Sequence, residues 1–337
     1  MSDISTDQVV FQVRSILLRE KKPSYTTTNK KEVRVRCPYC GDSKSNKSSA
    51  HMYIEMRPPF RFHCFKCETA GRLTQQTAKD FGLYNNELNA LLVEGTKLIR
   101  SSQPIQMVTT KRDMFYDSFN TNQAQTSLSY FNSRYGCNLS EEYVTNKFKA
   151  VLSAPEFFKR NNIYASMNQY NFNNVIGFVS SDASHIVFRD TSGMQQRRYF
   201  NLNLGNMDDD VASKIYNISS DIDIMADSVN LVITEGIFDI IGVYLHFYKD
   251  TENEKNTIFA AACGKGFNTV ISHFTRMGFL NLNISIYSDA DVNIDFYKNL
   301  KQTSPFLKNT RINVFYNSIE KDFGVPIDRI TLKKAIV

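Results

Sequence analysis

Four of the six cysteines in this 337-residue chain fall into two Cys-x-x-Cys pairs, Cys37-Pro-Tyr-Cys40 and Cys64-Phe-Lys-Cys67, with 23 residues between them. Each pair can present two thiolates from one tight knuckle, and four thiolates complete the tetrahedral shell of a structural Zn²⁺. His51 and His63 lie near enough in sequence to compete as ligands, but the cysteines already close the shell. The alternative is two disulfides or unrelated buried cysteines. The paired spacing and the lack of any sign of secretion favour one zinc. Cys137 and Cys263 stand alone and are expected to be packed.

A second set of candidate ligands is acidic. Glu235-Gly236 follows the apolar run 229–234, and Asp239 lies one helical turn further on. Asp289-Ala-Asp291 follows the run 282–287, and Lys321-Asp322 comes after the run 311–316. Carboxylates gathered on one edge repel each other unless a hard cation neutralises them. Mg²⁺ takes oxygen ligands, keeps some of its water and is completed by substrate phosphates. Two such ions can stabilise the attacking and leaving oxygens of a phosphoryl transfer. For any single Asp the competing role is a helix N-cap, which Asp289 or Asp291 could fill ahead of a helix over 292–300. Recurrence of acids after several apolar strands favours metal binding.

The elements that must position these groups follow from periodicity. From residue 229 onward, apolar strands alternate with helical faces at 237–248, 267–277 and 292–300, which predicts a mainly parallel sheet covered on both sides. In such a sheet chemistry lies beyond the carboxyl ends of the strands, where these acids fall. Residues 51–56 and 60–64 read as two strands of a small β-ribbon around the Arg57-Pro-Pro59 break. A helix is expected over 8–19, and another helical region starts at Gly71. Residues 101–112 read as a linker, 115–158 as mostly helical, and 175–179, 185–188 and 198–202 as strands. The fold class is therefore α+β and multidomain: a zinc-binding domain at 1–80, a helical segment and linker at 81–112, a further domain at 113–227 and the alternating α/β domain at 228–337.

Charge is unevenly distributed. Residues 1–75 carry 14 Lys or Arg against 7 Asp or Glu, while the whole chain has a net charge of only +6. Lys30, Lys31, Arg34, Arg36, Arg61 and Lys66 interleave with Tyr39, Tyr53, Phe60, Phe62 and Phe65. Cations that neutralise phosphates beside rings that stack on unpaired bases are the ingredients of single-strand binding. The bland alternative is a solvated basic face around a small aromatic core. No run approaches the ~20 apolar residues of a membrane span, and no signal pattern opens the chain, so a cytoplasmic protein is expected.

Glu235-Gly-Ile-Phe-Asp239 followed by Asp289-Ala-Asp291 resembles the TOPRIM signature of bacterial-type primases, topoisomerases and some nucleases. Among these, primases pair that domain with an N-terminal zinc ribbon of this form. Phe188-Arg189-Asp-Thr-Ser-Gly193 is similar to an Arg-bearing strand and turn of primase cores. Arg198-Tyr-Phe-Asn201 resembles the family's basic-Tyr-x-Asn segment, and Lys214-Ile-Tyr216 a Lys-x-x-Tyr-like element. The resemblance covers most of 33–75 and 175–325. The small size and four-cysteine ribbon look most like phage primases encoded apart from their helicase, and no Gly-x-x-x-x-Gly-Lys-Ser/Thr of a fused helicase occurs. One departure concerns the last acid: the family usually has a second acid two residues on, where this chain has Asp322-Phe-Gly324.

The resemblance implies an RNA polymerase core and a DNA-dependent RNA primase that makes short primers on single-stranded DNA from ribonucleoside triphosphates, beside a separate replicative helicase. It implies a structural zinc on Cys37, Cys40, Cys64 and Cys67. Glu235, Asp289 and Asp291 would be catalytic and, with Asp239 and Asp322, would hold two Mg²⁺ or Mn²⁺ ions for a two-metal nucleotidyl transfer. Arg189, Arg197, Arg198, Lys214 and Lys265 would meet triphosphate or template. A phage origin would place it in the host cytoplasm. The alternatives are a TOPRIM nuclease and a non-catalytic zinc adaptor for single-stranded DNA.

Overall fold

The computed structural model describes residues 6–20, 25–26, 31–43, 46, 49–67, 69–83, 86–101, 114–116, 121–163, 171–181, 183–194, 198–204, 215–218, 222, 228–264, 266–276, 279, 282–303, 307 and 310–337. Over these described residues it is an α+β structure with three sheets. Lys30, Arg197, Lys214 and Lys265, and most of the expected linker, lie outside the described residues. Among those described, no helix is long and apolar enough to cross a membrane.

The first module opens with helix α1 (Thr6–Glu20). Five antiparallel strands follow in spatial order: β1 (Tyr25–Thr26), β2 (Glu32–Val35), β3 (Met52–Glu55), β4 (Arg61–Cys64) and β5 (Ala70–Arg72). Burial alternates along β2 and β3, as a half-covered sheet requires. The helical region expected from Gly71 begins later. Ala70–Arg72 is a strand whose Gly71 pairs with Phe62, and helix α2 (Gln75–Asp80) starts only after Thr74. Thr74 and Thr77 form a reciprocal capping box there, a stronger start signal than a glycine. Helix α3 (Asn86–Ser101) sends Leu88, Leu91 and Leu92 into the same core as Leu17, Val33, Ile54 and Phe62.

Three helices come next, α4 (Asn122–Tyr135), α5 (Glu141–Phe148) and, after strand β6 (Ala150–Val151), α6 (Ala154–Arg160). With β6 they accompany β7 (Val175–Val179), β8 (His185–Asp190) and β9 (Tyr199–Asn203), which form an antiparallel sheet in that order. Strand β10 (Tyr216–Ile218) then joins the third sheet with β11 (Val229–Thr234), β12 (Thr257–Ala261), β13 (Leu282–Ser288), β14 (Ile312–Asn317) and β15 (Leu332–Ile336). The order is β10-β12-β11-β13-β14-β15. The four middle strands are parallel and both edges antiparallel. Neither edge was legible in the sequence. β10 is three residues long, and β15 reads Leu-Lys-Lys-Ala-Ile with mostly exposed side chains.

Connecting helices are α7 (Ile237–Val243), which runs on into a π turn at Tyr244–Tyr248, α8 (Phe267–Arg276) and α9 (Ile294–Thr303). The two-residue period of the strands divides the sheet between two cores. Leu231, Ile233, Ile258, Ala260, Ile284 and Ile286 face α8 and α9. Val232, Phe259, Ala261 and Tyr287 face α7 and the second sheet. That second core also holds Phe131 and Tyr135 of α4 and Ile176 and Phe178 of β7. Helix α7 is therefore buried between two sheets. The first module rests through β4 and β5 on α8. A cleft there is lined by Tyr39, Phe62, Phe279 and Leu282, at the amino end of β13.

Gly242 sets how closely the chain after β14 approaches α7. A Cβ at 242 would lie 2.1 Å from the Phe323 carbonyl oxygen. Gly242→Ala is expected to push residues 322–324 away and lower unfolding free energy by about 1–3 kcal/mol, the usual cost of overpacking. Equilibrium denaturation checks this; unchanged stability would show that the contact yields freely.

Candidate functional site

The cysteine pairs converge as their spacing predicts. Cys37 Sγ lies 3.7 Å from Cys67 Sγ and Cys40 Sγ 3.9 Å from Cys64 Sγ. All four sulfurs lie within 4.8 Å of one another. Tetrahedral zinc with Zn–S of ~2.3 Å needs sulfurs ~3.8 Å apart, so the donor set and its dimensions fit. All four are free thiols, not disulfides. Hydrogen bonds from Cys37 and Cys64 hold the Cys67 thiol far below its usual range, and contacts with Cys64 and Cys67 push Cys37 up. Zinc takes thiolates, so its binding would release the protons these sulfurs hold.

A shell around the cluster keeps it in place. The Cys37 N–H donates to Asp42 Oδ2 at 2.6 Å, and the other carboxylate oxygen of the buried Asp42 meets His51 Nδ1 at 2.6 Å. His51 therefore serves Asp42, and neither histidine belongs to the metal-binding group. Lys66 donates to the Asp42 carbonyl. The guanidinium of Arg36 donates to the carbonyls of Gly41, Ser43, Asn46 and Ser49, fastening the loop between knuckle and ribbon. Arg61 forks onto Glu55 at 2.8 and 3.1 Å. Arg34 donates to the Ala50 carbonyl and lies over Tyr53, 5.5 Å from the ring centroid. Lys31 lies next to β2. Phe62 is core at 3 % exposure, whereas Phe65 is 56 % exposed and packs edge-on against Tyr53 and His63.

The acids gather at the carboxyl end of the third sheet. Glu235 and Gly236 form the bend between β11 and α7. Asp239 folds back over that bend so closely that a Cβ at 236 would lie 2.4 Å from its Oδ2. The Gly324 N–H bridges Asp239 Oδ1 at 3.1 Å and Asp322 Oδ1 at 3.0 Å, joining the loop after β14 to α7. Lys321 Nζ lies 3.5 Å from Asp289 and 2.9 Å from Asp291, and the Ala290 N–H donates to the Lys321 carbonyl at 2.8 Å. Neither Asp289 nor Asp291 caps α9. That helix starts at Ile294, and Asn293 Oδ1 accepts the Asp295 N–H at 2.9 Å.

One cavity of about 710 Å³ is lined by Glu235, Asp239, Asp289 and Asp322 together with Arg134, Arg189 and Arg198. Asp291 is exposed and is not among its lining residues. Burial, then the charges of Asp322 and Asp289, push the Asp239 carboxyl up to about 7 against the pull of Arg134 and the Gly324 N–H. Burial and Glu235 also raise Asp289, whereas the Lys321 hydrogen bond lowers Asp291. Acids that raise each other in this way suit a cation. Even so, among the described residues the cysteines are the one group of metal-ligating side chains that converges tightly.

Arg134 carried no signal in the sequence. It is a lone arginine on α4, in a stretch without a motif, and reaches the cavity only because α4 packs on α7. Its Nη2 lies 4.0 Å from Asp322 Oδ1. Arg189 donates to the Tyr199 hydroxyl and lies over that ring. No family model matches the chain, and no curated protein matches it either.

Two outcomes check these sites. Cys64→Ser is expected to lose the single zinc found by metal analysis of the parent; full retention would reassign the ligands. For Asp239 the folded value lies above the unfolded one, so the folded chain binds the extra proton, and stability falls as pH rises from about 3.8 to about 7. In magnesium-free buffer Asp239→Asn should therefore melt a few degrees above the parent at pH 8. The gap should close as pH falls toward 4, and a pH-independent gap would contradict the assignment.

Proposed function

We propose that this protein is a DNA-dependent RNA primase, with the cysteine cluster holding a structural zinc and the acidic end of the third sheet joining ribonucleotides. The observation that carries this reading is a cavity whose lining combines carboxylates from three strand ends with arginines from α4, β8 and the start of β9. A nuclease requires the acids alone. Arginines in the same cavity suit a substrate that brings its own triphosphate, because planar guanidiniums bind phosphate bidentately. The sequence resemblance to primases with a zinc ribbon and a TOPRIM domain supports the same reading.

In this mechanism the 3′ hydroxyl of one ribonucleotide gives up its proton to water and attacks the α-phosphorus of the next, forming a P–O bond as the bond to pyrophosphate breaks. Mg²⁺, when bound, would supply charge neutralisation for this transfer. Glu235, Asp239, Asp289 and Asp322 would hold it, and Asp291 would join once Lys321 releases it. Arg134, Arg189 and Arg198 orient the triphosphate. Arg197, Lys214 and Lys265 are further candidates for that role. The exposed Phe65, with Tyr53 and Arg34 beside it, offers a ring on which an unpaired template base can stack.

A polymerisation assay with ribonucleoside triphosphates on single-stranded DNA tests the reading. Short RNA products are expected, and Asp289→Asn should lower their formation about 100-fold or more, since metal neutralisation supplies several kcal/mol. Phe65→Ala should weaken single-strand binding by about 1–3 kcal/mol with the ribbon intact. Phe62→Ala should unfold it, at about 3–5 kcal/mol. Absence of RNA synthesis by the metal-loaded parent, or its full survival in Asp289→Asn, would defeat the proposal.

A further inference from the structure

We infer that Phe238 is a positioning residue whose ring sets the guanidiniums of Arg134 and Arg189 as a two-armed clamp for a phosphate chain. The inference rests on reading the cavity as a phosphate site. Both Cζ atoms lie 4.9 Å from the centroid of this one ring, although one arginine comes from α4 and the other from β8. The negative face of an aromatic quadrupole attracts a cation at that distance. Two like charges sharing one ring repel each other, which an anion between or beside them relieves.

The ring is a fixed platform. Phe238 is 2 % exposed. Phe178 meets it edge-on at 5.3 Å and Tyr130 at 6.2 Å, and the Tyr135 hydroxyl donates to its carbonyl at 2.8 Å. The arms are incompletely satisfied by protein. Buried Arg134 Nε has no hydrogen-bond partner among the described residues. Arg134 Nη2 does meet Asp322 Oδ1 at 4.0 Å, whereas Arg189 has no carboxylate within ion-pair distance among the described residues; its contacts are the Tyr199 hydroxyl and the Tyr199 and Phe238 rings. A guanidinium donor left unpaired is costly, and phosphate oxygens match its geometry. Asp239, the next residue on α7, faces the acidic side, so one helical turn fixes the distance between cations and carboxylates.

The test replaces Phe238 in the full-length protein by phenylalanines carrying progressively more ring fluorines, which drain the quadrupole while keeping the shape. Binding of inorganic tripolyphosphate is measured by calorimetry alongside thermal unfolding. Affinity is expected to fall stepwise to about a tenth, the equivalent of one desolvated cation–π contact, with the unfolding midpoint little changed. Phe238→Leu should show the same loss, and Phe238→Tyr should retain affinity if it folds. An affinity indifferent to fluorination, or a parent that does not bind tripolyphosphate, would overturn the inference. Because the readout is binding, stepwise loss in a protein that makes no RNA would uphold the clamp and reject the primase reading.

Discussion

The bridge from the Gly324 N–H to Asp239 and Asp322 is the contact on which the acidic end depends. Two carboxylates do not approach each other unaided; a shared donor holds them against their repulsion. The bridge exists only because two other positions lack side chains. Gly242 lets the Phe323 carbonyl press onto α7, and Gly236 lets Asp239 fold back over the start of its helix. At Gly324 itself a Cβ would collide with the Arg134 guanidinium, 2.7 Å from Nη2. The glycine at 324 thus supplies a backbone donor and leaves room for an arginine.

The first turn of α7 extends this order to the opposite charge. Phe238 and Asp239 are neighbours in the chain yet hold groups of opposite charge, the ring meeting Arg134 and Arg189 and the carboxylate meeting the Gly324 N–H beside Asp322. Burial between the second and third sheets gives α7 no freedom to rotate, since Ile237, Ile240, Ile241 and Val243 are all packed. The helix is short, and its stability comes from that packing rather than from propensity. Cations and carboxylates thus share one rigid frame without pairing off completely and cancelling the site.

The first module follows a different economy. Its sheet is small, and much of its basic charge is used internally: Arg36 on loop carbonyls, Arg61 on Glu55, Lys66 on the Asp42 carbonyl. These contacts shape the knuckle around the cysteines while leaving the cationic field that long-range attraction to phosphate requires. The module rests on α8 near the amino end of β13, whereas the acids lie past its carboxyl end at Ser288. A strand of this length separates the two by ~20 Å.

What could be read from the chain alone was whatever local spacing encodes. Two Cys-x-x-Cys pairs specify a four-sulfur cluster because each knuckle is a local turn. Apolar runs broken by helical periods specify parallel strands, and hence that Glu235, Asp289 and Asp322 end on one side of the sheet. The rest needed the tertiary structure. Arg134 meets the cavity through packing between α4 and α7, across about a hundred residues of chain that share no period. Whether Phe62 or Phe65 faced solvent could not be told from composition, because β4 buries Phe62 and ends before Phe65. The edges β10 and β15 were too short or too polar to show a pattern, and only the exposed backbone of β12 and β14 made strands of them. Periodicity records which face of an element is buried; which distant side chains meet across that face is decided when the layers close.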